Sequence, residues 1–479
     1  MISVYIVACL ISLAWAEQRS IDPPIRVDLS SPGNIKFMST SEVLTSWITM
    51  PIDHFDPQNT ATYQMRFMFN DQFFGGDGYP LFILVGGEWD INEGWLRAGN
   101  MYQSAQENKG YMFYTEHRYY GESLPYQNLT TENLRFLNVD QALADLAYFI
   151  NQIKSHPRFA DSKVILYGGS YAANMVIWFK QRYPHLVVGG VGSSGPILAK
   201  VDFTGYLEVV HRAFQSEGGE QCLTTIRQGL ADTITSMATE EGRRNLERVY
   251  RLCGPLDYDN ELELGYFSGL ISWTFSTSVQ QARPGTLRVI CNNFATEFYG
   301  SSPMEKVSGY IAHTRGLNAD DCWNIKYDNY VNNYKTRNDN SRAWYYQTCT
   351  EYGYYQTAPR IGTVFDQLRW LSVNFYVDLC KQAYDARFDE AFVNAAADRV
   401  NRVFGGLQPN VNNTINIHGV IDPWHDLGVY DRDLSETSPT YTVPRASHCF
   451  DMQGWLTTDT IRMTNAQQAA RRLIARWLQ

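Results

Sequence analysis

The sequence predicts an α/β fold with a largely parallel central sheet, interrupted by a mostly helical, cysteine-bearing insertion. Three observations carry this expectation. Through the first 200 residues, short apolar runs bounded by turn residues alternate with segments of helical apolar spacing, the pattern of a sheet covered on both faces. Between 201 and 385 helical segments and tyrosines replace the strand-like runs, and six of the eight cysteines fall there. Strand-like runs return beyond 385. At 479 residues the chain can bury a large core and hold two structural units. The expected division is 17–200 for the first part of the core, 201–385 for the cap and 386–479 for the second part of the core.

Residues 45–70 alternate in polarity and predict antiparallel strands at the sheet edge. Residues 79–85 read as a buried strand entering Gly86-Gly87-Glu88, and 111–115 as another. Residues 141–153 have helical apolar spacing. The run 164–167 leads through Gly168-Gly169 into Ser170 and a helix ending at Tyr183, before Pro184. The run 187–191 leads into Gly192-Ser193-Ser194-Gly195-Pro196, a second Gly-x-Ser with no helix behind it, read as a strand end and structural loop. Strands are expected again at 414–417 and 440–443, and a helix at 465–478.

Hydrophobic residues make up 44% and charged residues 19% of the chain, which excludes extensive disorder. The net charge of −10 argues against nucleic acid or an anionic membrane surface as partner. Residues 1–16 are apolar and end in Ala14-Trp15-Ala16, which reads as a signal peptide cleaved before Glu17, although a basic start is missing. No later stretch is long and apolar enough to span a bilayer. The mature chain is therefore expected in the secretory pathway, secreted or lysosomal. Removing Cys9 leaves Cys222, Cys253, Cys291, Cys322, Cys349 and Cys380 clustered, with Cys449 apart. The clustering suggests a bridged insertion, and the spacings match no zinc site, so neither metal nor cofactor is expected. Asn128 and Asn412 head glycosylation sequons.

Strand, Gly turn, serine, helix is the layout of a nucleophile elbow, in which the helix N-terminus lies beneath the serine hydroxyl. Ala172 takes the usual fifth-position glycine and is small enough for a close strand–helix crossing. A serine nucleophile needs a base, and the base an orienting carboxylate. In an α/β-hydrolase core these follow the serine as acid, then histidine, each on a loop after a strand. Asp422 and His448 satisfy that order and placement. His418 and His425 share the loop region of Asp422 and are poorly placed to face Ser170, and His117 reads as structural. The layout predicts a serine hydrolase, and the family resemblance given next makes a peptidase acting on a peptide or protein the leading reading. An esterase or lipase on the same fold and a catalytically idle binding protein are the alternatives, and intact Ser170, Asp422 and His448 argue against the last.

The chain resembles the S28 family of serine peptidases. The resemblance rests on ordered segments from about residue 45 onward: 51–55, 86–88, 116–123, 168–171, 347–351, Asp422-Pro423-Trp424 and Ser447-His448. It implies Ser170 as nucleophile, His448 as base and Asp422 as orienter. It implies oxyanion N–H groups from Tyr171 and the Gly87-Glu88-Trp89 turn, and substrate contacts from Trp424, Glu351 and the position of Asn174. It also implies the pairs Cys222–Cys291, Cys253–Cys322 and Cys349–Cys380, cleavage near proline, and a homodimer as the assembly to test. Asn174 stands where proline-specific members carry Met, and a polar group in an apolar pocket disfavours proline. Trp89 stands where members carry Gly, which is expected to narrow the cleft.

Overall fold

The structure, a computed structural model, describes residues 42–454 and 459–479. The signal peptide expected at 1–16 lies outside them. Strands β1 (Leu44–Pro51) and β2 (Thr62–Asn70) pair antiparallel at one edge, as their alternation predicts. β3 (Leu81–Val85), β4 (Tyr111–Thr115), β5 (Val164–Gly169) and β6 (Gly189–Ser193) are buried on both faces. They read as continuous apolar runs because helices cover both sides. β7 (Lys200–Asp202) and β8 (Gly353–Tyr355) form a separate two-stranded ribbon. β9 (Thr414–Gly419) and β10 (Thr440–Val443) complete the main sheet.

The sheet order is β1-β2-β4-β3-β5-β6-β9-β10. From β4 to β10 every neighbouring pair is parallel. The carboxyl ends of β3, β5, β6, β9 and β10 therefore emerge at one edge, where open α/β sheets form their clefts.

The covering helices are α1 (Asn100–Glu107), α2 (Val139–Lys154) and α3 (Tyr171–Arg182). Asn138 caps α2 by accepting from Gln141 N–H. The insertion follows β7, with α4 (Gly205–Gly218), α5 (Glu220–Ser236), α6 (Glu240–Val249) and α7 (Glu261–Gln280). It continues through α8 (Thr286–Phe294), α9 (Pro303–Thr314), α10 (Tyr327–Thr336), α11 (Asn340–Gln347) and α12 (Val373–Ala383). α13 (Glu390–Phe404) leads back towards β9, and α14 (Ile461–Trp477) closes the chain. Disulfides join Cys222 to Cys291, Cys253 to Cys322 and Cys349 to Cys380, all within the insertion. Cys449 is a buried free thiol. Asn128 and Asn412 are exposed.

Candidate active site

Ser170 lies between the last residue of β5 and the first of α3, with φ +55° and ψ −132°. Left-handed φ on a non-glycine residue is strain that the surroundings must hold in place. The crossing is tight: a Cβ on Gly168 would stand 2.3 Å from the Ala172 carbonyl oxygen. Glycine is required there, and alanine suffices at 172. Tyr171 N–H is at the first helical position, where no intrahelical acceptor exists.

Asp422 follows β9 and His448 follows β10. His448 Nδ1 lies 2.9 Å from both Asp422 carboxylate oxygens. Trp424 N–H donates to Asp422 Oδ1 at 3.0 Å. Burial alone would raise the Asp422 carboxyl, but the charge and hydrogen bond of His448, with bonds from Trp424 N–H and Ser194, hold it below the usual range. Burial would lower His448, yet Asp422 above all, with Cys449, lifts it well above an ordinary imidazole. His448 Nε2 is buried without a hydrogen-bond partner among the described residues, so the Ser170 hydroxyl is not bonded to it here.

The strand between the serine and the acid ties the loops together. β6 lies between β5 and β9, and Ser193-Ser194 stand at its end. Ser193 O accepts from Ser170 N–H at 2.9 Å and from the Cys449 thiol at 3.6 Å. Ser194 Oγ accepts from Cys449 N–H at 2.9 Å and donates to Asp422. The dipeptide read as a structural loop thus touches the segments of all three candidate catalytic residues. The sequence held only the bare Gly-x-Ser as a signal for it.

Aromatic side chains wall the same end. Trp424 packs edge-on against Tyr206 at 5.2 Å and Tyr354 at 5.5 Å, and lies 6.4 Å from the His448 ring. Its indole N–H donates to Gln280 Oε1 at 3.1 Å, and the Tyr206 hydroxyl donates to the same oxygen. Tyr206, Gln280 and Tyr354 carry no motif and were not legible in sequence.

Other expected residues sit differently from their expectation. Asn174 is fully buried, but its amide nitrogen donates to Pro196 O at 3.1 Å and Tyr354 Oη at 3.2 Å. Trp89 folds over Gly87, where a Cβ would meet its ring at 2.4 Å, and donates to Tyr114 Oη at 2.6 Å. The indole is therefore buried in the wall rather than standing across the cleft. Glu351 accepts from Val139 N–H with both oxygens, at 2.9 and 3.1 Å, and from Gln347 at 3.4 Å. Burial pushes it up to about 7 against those bonds and one from Tyr352. It joins the Tyr171 hydroxyl through Gln347 and lies in the interior, where these contacts argue for a supporting role.

The profile of the serine carboxypeptidase S28 family matches residues 50–470. The chain belongs to that family. It is a serine-type peptidase, a hydrolase with an α/β-hydrolase core. This S28 peptidase is 30% identical over 460 residues to the Caenorhabditis elegans protein K12H4.7, named there as a candidate serine protease (91% of this chain, 88% of that one). It is 29% identical over 450 residues to mouse thymus-specific serine protease (90% of this chain, 87% of the relative). To bovine lysosomal Pro-X carboxypeptidase the identity is 27% over 490 residues (96% of this chain, 93% of the relative).

Proposed function

We propose that this peptidase hydrolyses peptide bonds through Ser170, His448 and Asp422. Ser170 Oγ attacks the scissile carbonyl carbon while His448 Nε2 takes its proton. The developing oxyanion is met by Tyr171 N–H and by N–H groups of the 87–89 turn. The proton then passes to the leaving amine, and water repeats the sequence on the acyl-enzyme. Asp422 holds Nδ1 protonated, so that Nε2 is the basic nitrogen. The observation that carries this reading is the His448–Asp422 pair at 2.9 Å on the sheet edge that bears the strained Ser170.

The substrate reading is cleavage beside proline, as the name of the Pro-X carboxypeptidase relative suggests. Trp424, Tyr206 and Tyr354 supply an aromatic wall, its rings meeting edge to face, for a pyrrolidine ring to pack against. Asn174 satisfies its N–H groups on Pro196 and Tyr354, while its buried Oδ1 has no partner among the described residues and counts against an apolar ring beside it. The proposed division is a core of 42–200 and 386–479 with a cap of 201–385. Three disulfides fit the oxidising secretory pathway, and no helix of the described residues is long and apolar enough to cross a membrane. Within that pathway we propose a lysosomal or extracellular site.

Labelling by a fluorophosphonate and hydrolysis of matched proline and alanine peptides test the proposal. Ser170→Ala should abolish both, with rates lower by several orders of magnitude. Retained hydrolysis by the folded variant would remove Ser170 from the mechanism, and equal rates on the two peptides would remove the proline preference.

A further inference from the structure

A buried carboxyl lies behind the proposed triad with no role in it. Asp451 is three residues past His448 and 4% exposed. Its Oδ1 accepts from Ser193 Oγ, and its Oδ2 has no partner among the described residues. Ser193 is the residue whose carbonyl holds Ser170 N–H at 2.9 Å and the Cys449 thiol at 3.6 Å. One side-chain bond therefore connects Asp451 to a carbonyl shared by the nucleophile and the residue after the base.

The groups facing Asp451 come from every packed element. The loop after β9 contributes Asp422, whose charge opposes ionisation, and its own segment contributes His448, which favours it. β5 contributes Tyr167, whose hydroxyl is hydrogen-bonded to Ser104 of α1. From α14, Gln467 donates to the Asp451 backbone oxygen at 3.3 Å. One turn further on, Arg471 is engaged with Asn100, Gln103 and Glu107. No lysine or arginine pairs with the Asp451 carboxyl among the described residues, and 455–458 hold none. Burial, with Asp422 adding, pushes the carboxyl up to about 7 against the Ser193 bond.

We infer that Asp451 is a positioning residue that acts through Ser193, and that its neutral carboxyl is the form compatible with hydrolysis. A buried carboxyl oxygen to which the described residues offer no hydrogen bond and no lysine or arginine is best accommodated as the acid. Ionisation would set a second negative charge near His448 beside that of Asp422. A buried carboxylate oxygen without a donor is relieved only by displacing the Ser193 loop, and with it the carbonyl that holds Ser170 N–H. Activity is thereby confined on its alkaline side by a group that never touches substrate.

This inference rests on Ser170 as nucleophile, so the test reads labelling of Ser170 directly. The rate of fluorophosphonate labelling is measured across pH for the full-length enzyme and for Asp451→Asn, with the labelled peptide identified by mass. The wild type should label at Ser170 and slow above neutral pH. Asparagine keeps the Ser193 acceptor without the charge, so Asp451→Asn should lose the alkaline decline while keeping about the wild-type rate in acid. Asp451→Ala and Ser193→Ala should both slow labelling about tenfold or more at every pH, and the pair combined should be no slower than either. An Asp451→Asn profile superimposed on the wild type, with Ser170 labelled in both, overturns the role of Asp451 and leaves the nucleophile standing. Absence of labelling at Ser170 in the wild type overturns both. Should Asp451→Ala fail to fold, the Asn profile alone decides.

Discussion

Gln280, the last residue of α7, holds the site from the insertion side. Its Oε1 accepts from Trp424 and Tyr206, and its backbone oxygen accepts from the Ser447 hydroxyl at 3.0 Å and His448 N–H at 3.4 Å. Gln280→Leu leaves two buried donors without acceptors, a cost of about 1–3 kcal/mol. We expect kcat/KM on a proline peptide to fall about tenfold in Gln280→Leu and to be largely retained in Gln280→Glu, which keeps the acceptor. Equal kinetics in the three proteins would show that the Trp424 wall does not depend on this residue. The residues proposed as catalytic could be picked out one at a time: an elbow serine, then an aspartate and a histidine in the order the proposal needs. The residues supporting them were not. Ser194, Tyr354 and Cys449 all adopt left-handed φ, at +55°, +60° and +59°, although none of them is a glycine. Their conformation is imposed by tertiary bonds, which local sequence does not encode.

Among elements, the sheet was the more legible part. β4 begins and ends where its run does, because a strand buried on both faces favours apolar residues along its length, and β10 keeps its expected bounds although it is the partly exposed edge strand. The β7–β8 ribbon was missed, since strands of three residues carry too little pattern. The insertion could be read only as helical and bridged. α7 is buried nearly all round, so it has no polar face to show its period. The bridges there are separated by 69, 69 and 31 residues along the chain. Closing loops of that length restricts the unfolded chain, and replacing both Cys253 and Cys322 by serine should destabilise the enzyme by about 2–4 kcal/mol. Urea unfolding of the oxidised protein and the double variant measures this. A midpoint unchanged by the double substitution would show that tyrosine and tryptophan packing holds the cap unaided.

Over the whole molecule the buried ionisable groups pull both ways: burial lowers His117 and His418 to about 4, so their cost is felt in acid, whereas two carboxyls are raised. Glu351 and Asp451 both stand at about 7, above ordinary values of 4.5 and 3.8. Between those limits the native state binds protons that the unfolded chain releases, so stability falls as pH rises through that window and levels off above it. His448 is raised as well, and its contribution is lost as pH climbs through its native value. Asp422 works the other way, its lowered carboxyl stabilising above its unfolded value and losing that contribution in strong acid. In thermal melts the midpoint of Glu351→Gln relative to the wild type should therefore be higher by a few degrees at about pH 7.5 than at about pH 5, since glutamine cannot ionise. A difference between the two proteins that is the same at both pH values contradicts the raised carboxyl of Glu351. The grip of Gln280 on the histidine loop also bears on how such a peptidase could be rebuilt. Its bonds to the Trp424 indole N–H and the His448 backbone N–H run from the last residue of an inserted helix into the sheet edge that bears the proposed triad. The sheet on its own is thus an incomplete hydrolase, and the insertion cannot be excised or exchanged as a detachable lid. A chimera carrying a foreign cap must deliver an acceptor to the same spot, or its histidine loop will lack the anchor that the native chain supplies from 168 residues away.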